Sequence, residues 1–157
     1  MTDPDPEFPA TAARILRGAT RLLEGLGYAA IAEYTLGNGR RADILALDGA
    51  GQVAIVEIKS SRADFAADHK WRDYLEFCDR FYFAVEPDFA LGLLPEDVGL
   101  ICADAHGGSI RREGALQPIN GNRRRSLSSD QMPPSTIEVH TSSPGIPISE
   151  PASTYEL

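Results

Sequence analysis

The chain has 157 residues, enough for one domain with a buried core, and its composition is that of an ordinary globular protein. Fifteen Lys and Arg against 23 Asp and Glu leave a net charge of −8. That balance excludes a protein that coats nucleic acid by bulk attraction, while leaving room for contact at one local patch, particularly where bound metal ions add positive charge. Cys78 and Cys102 sit in apolar contexts without metal-type spacing and are read as buried, reduced thiols. The acidic, Pro-containing start MTDPDPEF is unlike a signal peptide, and no apolar run is long enough to span a membrane, so a cytoplasmic protein without a membrane partner is expected.

In chain order, TAARILRGATRLLEGLG places Ile15, Leu16, Ala19, Leu22, Leu23 and Leu26 at helical spacing, with Gly27 as the stop. YAAIAEYTL reads as a strand, GNGR as a turn, RADILALD as a second strand, DGAGQ as a loop and VAIVEIK as a third strand, an antiparallel meander. Ser61 with Asp64 resembles a capping box, and a helix is predicted from there through about Asp79, with Ala67, Trp71, Tyr74, Leu75 and Cys78 on one face. RFYFAVE is the next strand, VGLICAD another, and AHGGSIRRE a turn into a last one. Composition shifts at Pro118, and the stretch from Pro118 to Leu157 holds more than half of the prolines and many Ser and Thr. The expected organisation is a domain over 10–117, a flexible N-terminus over 1–9 and a disordered tail over 118–157. The basic run Arg123 to Arg125 in that tail is read as solvated linker.

The chemistry concentrates at the end of VAIVEIK. Side chains alternate along a strand, so Glu57 and Lys59 share the face of Val53 and Ile55. With 48–52 as the loop, Leu47 faces Val53, Leu45 faces Ile55 and Asp43 faces Glu57, whereas a slip of one residue breaks the apolar matching. Carboxylates opposed across a ladder repel, and a sheet that keeps them needs nearby cations or a divalent metal held through oxygen. Glu33 on the first strand is a candidate third oxygen ligand. Lys59 suits stabilisation of developing negative charge or orientation of an attacking water. Together these residues form the set that metal-assisted phosphodiester hydrolysis uses.

Asp43 followed by Glu57-x-Lys59, within the order helix–strand–strand–strand–helix–strand, resembles the PD-(D/E)XK nuclease superfamily. More narrowly, GRRADILAL, VAIVEIKSSRADFAADHKWRDYLEFCDRFYFAV and the DxKWxxY pattern within it are similar to the MmcB-like family of bacterial DNA-repair proteins, over roughly residues 10 to 113. Ala42 stands where the superfamily usually has proline.

The resemblance implies a restriction-endonuclease-like α/β fold, with an αβββαβ core, a central mixed sheet flanked by helices and a C-terminal β pair. It implies a DNA-repair-associated endonuclease in which Asp43 and Glu57 bind Mg²⁺ or Mn²⁺ and Lys59 is the catalytic lysine. Glu33 is favoured over Glu24 as the extra acid, because Glu24 lies in the last turn of the first helix. Arg40, Arg41 and Lys70 are the expected phosphate contacts, and Tyr74, four residues after Lys70, is expected to support the site. Trp71 is read as core; Asp68 and His69 are candidates to support the site from behind, with solvated helix residues the preferred reading. The implied partner is DNA, including branched or damaged forms, with a repair protein as a second partner and a dimer in keeping with many enzymes of this fold. The alternative is a catalytically silent nuclease-fold module that binds DNA or a repair partner; action on RNA would use the same metal chemistry.

Overall fold

A computed structural model describes residues 10–131 and arranges six strands in one sheet, in the sequential order β1 to β6. The elements are α1 (Ala10–Gly25), β1 (Ala29–Thr35), β2 (Arg41–Leu47), β3 (Val53–Ile58), α2 (Arg62–Ala67), a 3-10 helix (Trp71–Phe77), β4 (Arg80–Val85), a short 3-10 turn (Leu91–Leu93), β5 (Gly99–Ala103), β6 (Gly108–Arg112) and α3 (Gly121–Gln131). The first three strands run antiparallel, β3, β4 and β5 run parallel, and β6 returns antiparallel to β5. This is the expected α/β architecture, a mixed sheet flanked by helices and ending in a β pair.

Each face of the sheet is covered because the central strands are apolar on both sides, as strands buried from two directions must be. On one face α1 inserts Ala12, Ile15, Ala19 and Leu23 against Ile44, Val56, Ala84 and Ile101. Gly18 is required there, since a β-carbon would collide with the carbonyl of Asp104 in the β5–β6 turn. Gly27 ends the helix as predicted, at φ 92°, with Tyr28 N–H bonded back to the Leu23 carbonyl. Leu26, expected on the apolar face, is instead exposed, because the chain has already left the helix at Gly25.

The opposite face holds an aromatic layer. Trp71 stacks on Phe81 at 5.5 Å and meets Phe83 edge-on at 5.3 Å, so its assignment to the core is correct. The single long helix expected from Ser61 to Asp79 does not form. Ser61 caps α2 as predicted, accepting from Asp64 N–H, but α2 ends at Ala67 and Asp68 is extended. The chain then rewinds as a 3-10 helix that buries Trp71, Tyr74 and Phe77. A three-residue period aligns i, i+3 and i+6, which brings Phe77 into the core beside Cys78, with Leu75 only partly buried against it. Both cysteines are free and buried, as read from their contexts.

The folded chain also continues past the expected boundary at 117. Residues Gly121–Gln131, placed by composition in the disordered tail, are helical, with Leu127 buried in the core. Two of the three consecutive arginines in α3 explain this. Arg123 pairs with Glu76 at 3.0 Å, and Arg124 grips the fully buried Asp79 with bonds of 2.7 and 2.6 Å. The basic run is therefore a docking device, not solvated linker. Residues 1–9 and 132–157, expected to be flexible and disordered, lie outside the described residues.

Candidate active site

The β2–β3 register is the predicted one, with Leu47 opposite Val53 and Leu45 opposite Ile55. The same count sets Asp43 against Glu57 at the next step beyond the Ile44–Val56 pair. There the two side chains take over from the backbone ladder. Asp43 N–H donates to Glu57 Oε1 at 3.1 Å, and Ile58 N–H donates to Asp43 Oδ2 at 2.8 Å. Each carboxylate is thus pinned to the opposite strand, and both face a cleft of about 510 Å³ shared with Ile58, Lys59, Ser60 and Asp64.

Glu57 is buried, and loss of hydration followed by the nearby charge of Asp43 pushes its carboxyl up to about 8. Burial also raises Asp43, although the Ile58 N–H and the charge of Lys59 oppose that rise. At neutral pH the pair therefore favours holding a proton, the expected state of two close, desolvated carboxyls. No arginine or lysine forms an ion pair with either acid among the described residues.

Lys59 extends from the end of β3, where its N–H bonds to the Ala84 carbonyl of β4 at 3.0 Å. Its side chain is buried, and its ammonium pairs with Asp68 Oδ2 at 2.7 Å. Lys59 is thus not the salt-bridge partner of Glu57. For Asp68 the preferred reading as a solvated helix residue is therefore corrected in favour of a supporting role. Burial works against its charge, but the hydrogen bonds from Lys59 and Lys70 N–H hold it below the usual carboxylate range. The available signal was Lys59 itself: a lysine on the buried face of a strand requires an anion from the element that follows.

The other expected site residues are spread more widely. Tyr74 is buried and donates its hydroxyl to the Arg41 carbonyl at 2.9 Å, anchoring the strand just before Asp43. Burial and the nearby Glu57 and Asp43 raise its phenol. Arg40 pairs with Asp73 at 2.9 Å, while Arg41 and Lys70 are exposed, and none of the three lines the acid cleft. Lys70 and Tyr74 do not share an α-helical face, because Lys70 caps the 3-10 helix. Glu33 falls opposite Asp43 on β1 but is exposed, at φ 55°, and does not line the cleft. Glu24 is exposed on α1. Among the described residues no group of three or more His, Cys, Asp or Glu side chains converges in a metal-ligand arrangement.

The acid pair nevertheless fits one kind of ion. Its donors are carboxylate oxygens, hard ligands suited to Mg²⁺ or Mn²⁺, and Mg²⁺ characteristically keeps several waters while binding through one or two carboxylates and substrate phosphates. A larger cleft of about 810 Å³ opens between the 3-10 helix and α3, lined by Asn38, Asp73, Glu76, Phe77 and Arg123. Its two acids are already paired with Arg40 and Arg123, unlike the acids of the smaller cleft.

Comparison with known proteins gives a consistent picture. No functionally curated protein matches the chain. A solved structure, the SPO1766 protein of unknown function from Silicibacter pomeroyi, is similar at 39% identity with a TM-score of 0.74, covering 76% of this chain and 82% of that one. Among the described residues, no helix is long and apolar enough to cross a membrane. The family model described as DNA repair protein MmcB-like matches residues 1–135. With a sheet compatible with a nuclease-like core and a family match over most of its length, the chain belongs to the MmcB-like DNA repair proteins and has a DNA-repair-related role.

Proposed function

We propose that this protein is a metal-dependent endonuclease acting on DNA during repair. The observation that carries the reading is the opposed pair Asp43 and Glu57, pinned by reciprocal backbone hydrogen bonds in a cleft that also holds Lys59. A sheet built only for stability gains nothing from facing two desolvated acids, whereas a divalent cation resolves their repulsion. Asp43 and Glu57 would hold Mg²⁺ or Mn²⁺, which when bound supplies Lewis-acid neutralisation of a phosphodiester and activates water at neutral pH. The backbone bonds from Asp43 and Ile58 keep the two carboxylates in place before the ion arrives, so little reorganisation remains. Lys59 brings a localised positive charge to the cleft, where negative charge builds on the phosphoryl oxygens and the leaving group. Arg41 and Lys70, exposed on neighbouring elements, are the residues proposed to meet the flanking backbone phosphates, while Arg40 is held by Asp73.

A second reading, a nuclease-fold module that binds DNA without cutting it, draws on the two-acid count, since no third ligand joins the pair among the described residues. One experiment separates the two. The full chain is incubated with Mg²⁺ or Mn²⁺ and supercoiled, single-stranded, flapped and branched DNA, beside Glu57→Ala and Lys59→Ala. Cleavage by the parent, lost in both variants, is the expected result. Binding without cleavage on every substrate, or variants that cut as well as the parent, sinks the catalytic reading.

A further inference from the structure

Of the 15 basic residues in this chain only two are lysines, Lys59 and Lys70. Lys59 is the buried one, with 5% of its surface exposed, and a buried ammonium needs a fixed anion. The nearest acids in the cleft are committed elsewhere. Glu57 and Asp43 accept backbone N–H groups, and Asp64 Oδ2 accepts both the N–H and the hydroxyl of Ser60. The partner is Asp68, which reaches back across α2 to place Oδ2 at 2.7 Å from the ammonium.

Asp68 is itself held from behind. Its Oδ1 accepts Lys70 N–H at 2.9 Å, and a further hydrogen bond comes from Trp71 N–H. Trp71 is wedged between Phe81 and Phe83 in the aromatic layer, so the anion stands on the core itself. We propose that Asp68 is a positioning residue: its carboxylate, fixed by the start of the Trp71–Phe77 helix, holds Lys59 in the acid cleft for phosphodiester hydrolysis. This rests on the nuclease reading for its chemistry, but the hold on Lys59 is testable without it.

The informative variant is Asp68→Asn. Asparagine keeps an oxygen for the Lys70 and Trp71 N–H groups and turns a neutral amide NH2 toward Lys59 in place of the charged Oδ2. Two readouts on the full chain decide. In metal-free protein, labelling with an amine-reactive succinimidyl ester followed by mass spectrometry compares Lys59 with exposed Lys70 as internal standard. The ratio of Lys59 to Lys70 labelling is expected to rise severalfold in Asp68→Asn. In Mn²⁺-dependent DNA cleavage, kcat is expected to fall by about 100-fold with little change in KM, the size of effect that misplacing a catalytic group produces. Asp68→Glu, which restores the charge, should recover part of that loss; Asp68→Asn leaves a buried ammonium without its anion and should melt lower than the parent, so cleavage is compared well below both melting temperatures. An unchanged labelling ratio, or Asp68→Asn cleaving at or above the parent rate, overturns the proposal. So does a loss of cleavage that tracks a lowered melting temperature without recovery in Asp68→Glu. A parent that cuts no DNA removes the nuclease reading alone, since the labelling ratio still decides whether Asp68 holds Lys59.

Discussion

At both ends of β3 a carboxylate bonds to a backbone N–H, and the two ends treat the resulting negative charge in opposite ways. At the start, Asp79 accepts from Val53 N–H at 2.7 Å and Ile119 N–H at 3.0 Å, and Arg124 completes it with a two-pronged ion pair. Arg124 and these N–H groups outweigh burial and hold Asp79 below the usual carboxylate range. At the far end, Asp43 accepts from Ile58 N–H and Glu57 lies beside it, yet no arginine arrives and both carboxyls are raised. Asp79 is built to be charged and satisfied, and fastens α3 to the sheet. The Asp43–Glu57 pair is fixed equally well in space but left short of positive charge, the condition on which the proposed cation site rests.

The contrast can be broken at either end. The largest effect is expected from Asp79→Ala, which removes the ion-pair partner of Arg124 and strands the Val53 and Ile119 N–H groups; urea unfolding should show a loss of about 2–5 kcal/mol, since each buried group left unpaired costs about 1–3 kcal/mol. A loss below about 1 kcal/mol would make Asp79 no more than a surface ion pair and end the comparison.

At the other end the sign reverses. The Glu57 carboxyl rises from 4.5 to about 8 on folding, so the folded state holds the proton more tightly across that range. Stability from this group is complete below pH 4.5 and is lost as pH rises to about 8. Glu57→Gln keeps the Oε1 acceptor for Asp43 N–H and removes the charge. It should match the parent in acid and exceed it by a few kcal/mol above pH 8, as read by thermal melts across pH. Saturating Mn²⁺ should stabilise the parent and narrow the gap, leaving the glutamine variant nearly unmoved. Equal melting curves at high pH, or a parent indifferent to Mn²⁺, would mean that the pair is not waiting for a cation.

The smallest effect belongs to Tyr74→Phe. The Arg41 carbonyl loses one hydrogen bond, and stability should drop by about 1 kcal/mol in the same urea assay. A drop in DNA cleavage much larger than that stability change would show that Tyr74 also sets the position of Asp43.

Much of this site was legible in the chain because it depends on local rules. Loop 48–52 and the apolar alternation of RADILAL and VAIVEIK allow a single register, and that register alone sets Asp43 opposite Glu57. The strands and the α1 stop at Gly27 follow from equally short-range signals. What failed was the stretch from 61 to 79, where helical spacing suggested one helix. The break occurs at Asp68, whose carboxylate is drawn to Lys59 on one side and to the Lys70 N–H on the other. No periodicity reports a competition of that kind. Lys70 was misplaced onto the face of Tyr74 for the same reason.

The sequence by itself determined the three-strand meander, the β2–β3 register and the facing acids, since side-chain alternation and a short loop are nearest-neighbour constraints. Only the tertiary structure decided which anion Lys59 meets, that Glu33 lies outside the cleft, and that Arg124 reaches back 45 residues to Asp79. Burial is the physical reason. A charge withdrawn from water must find its partner wherever the folded chain delivers one, and that location depends on the whole path of the backbone.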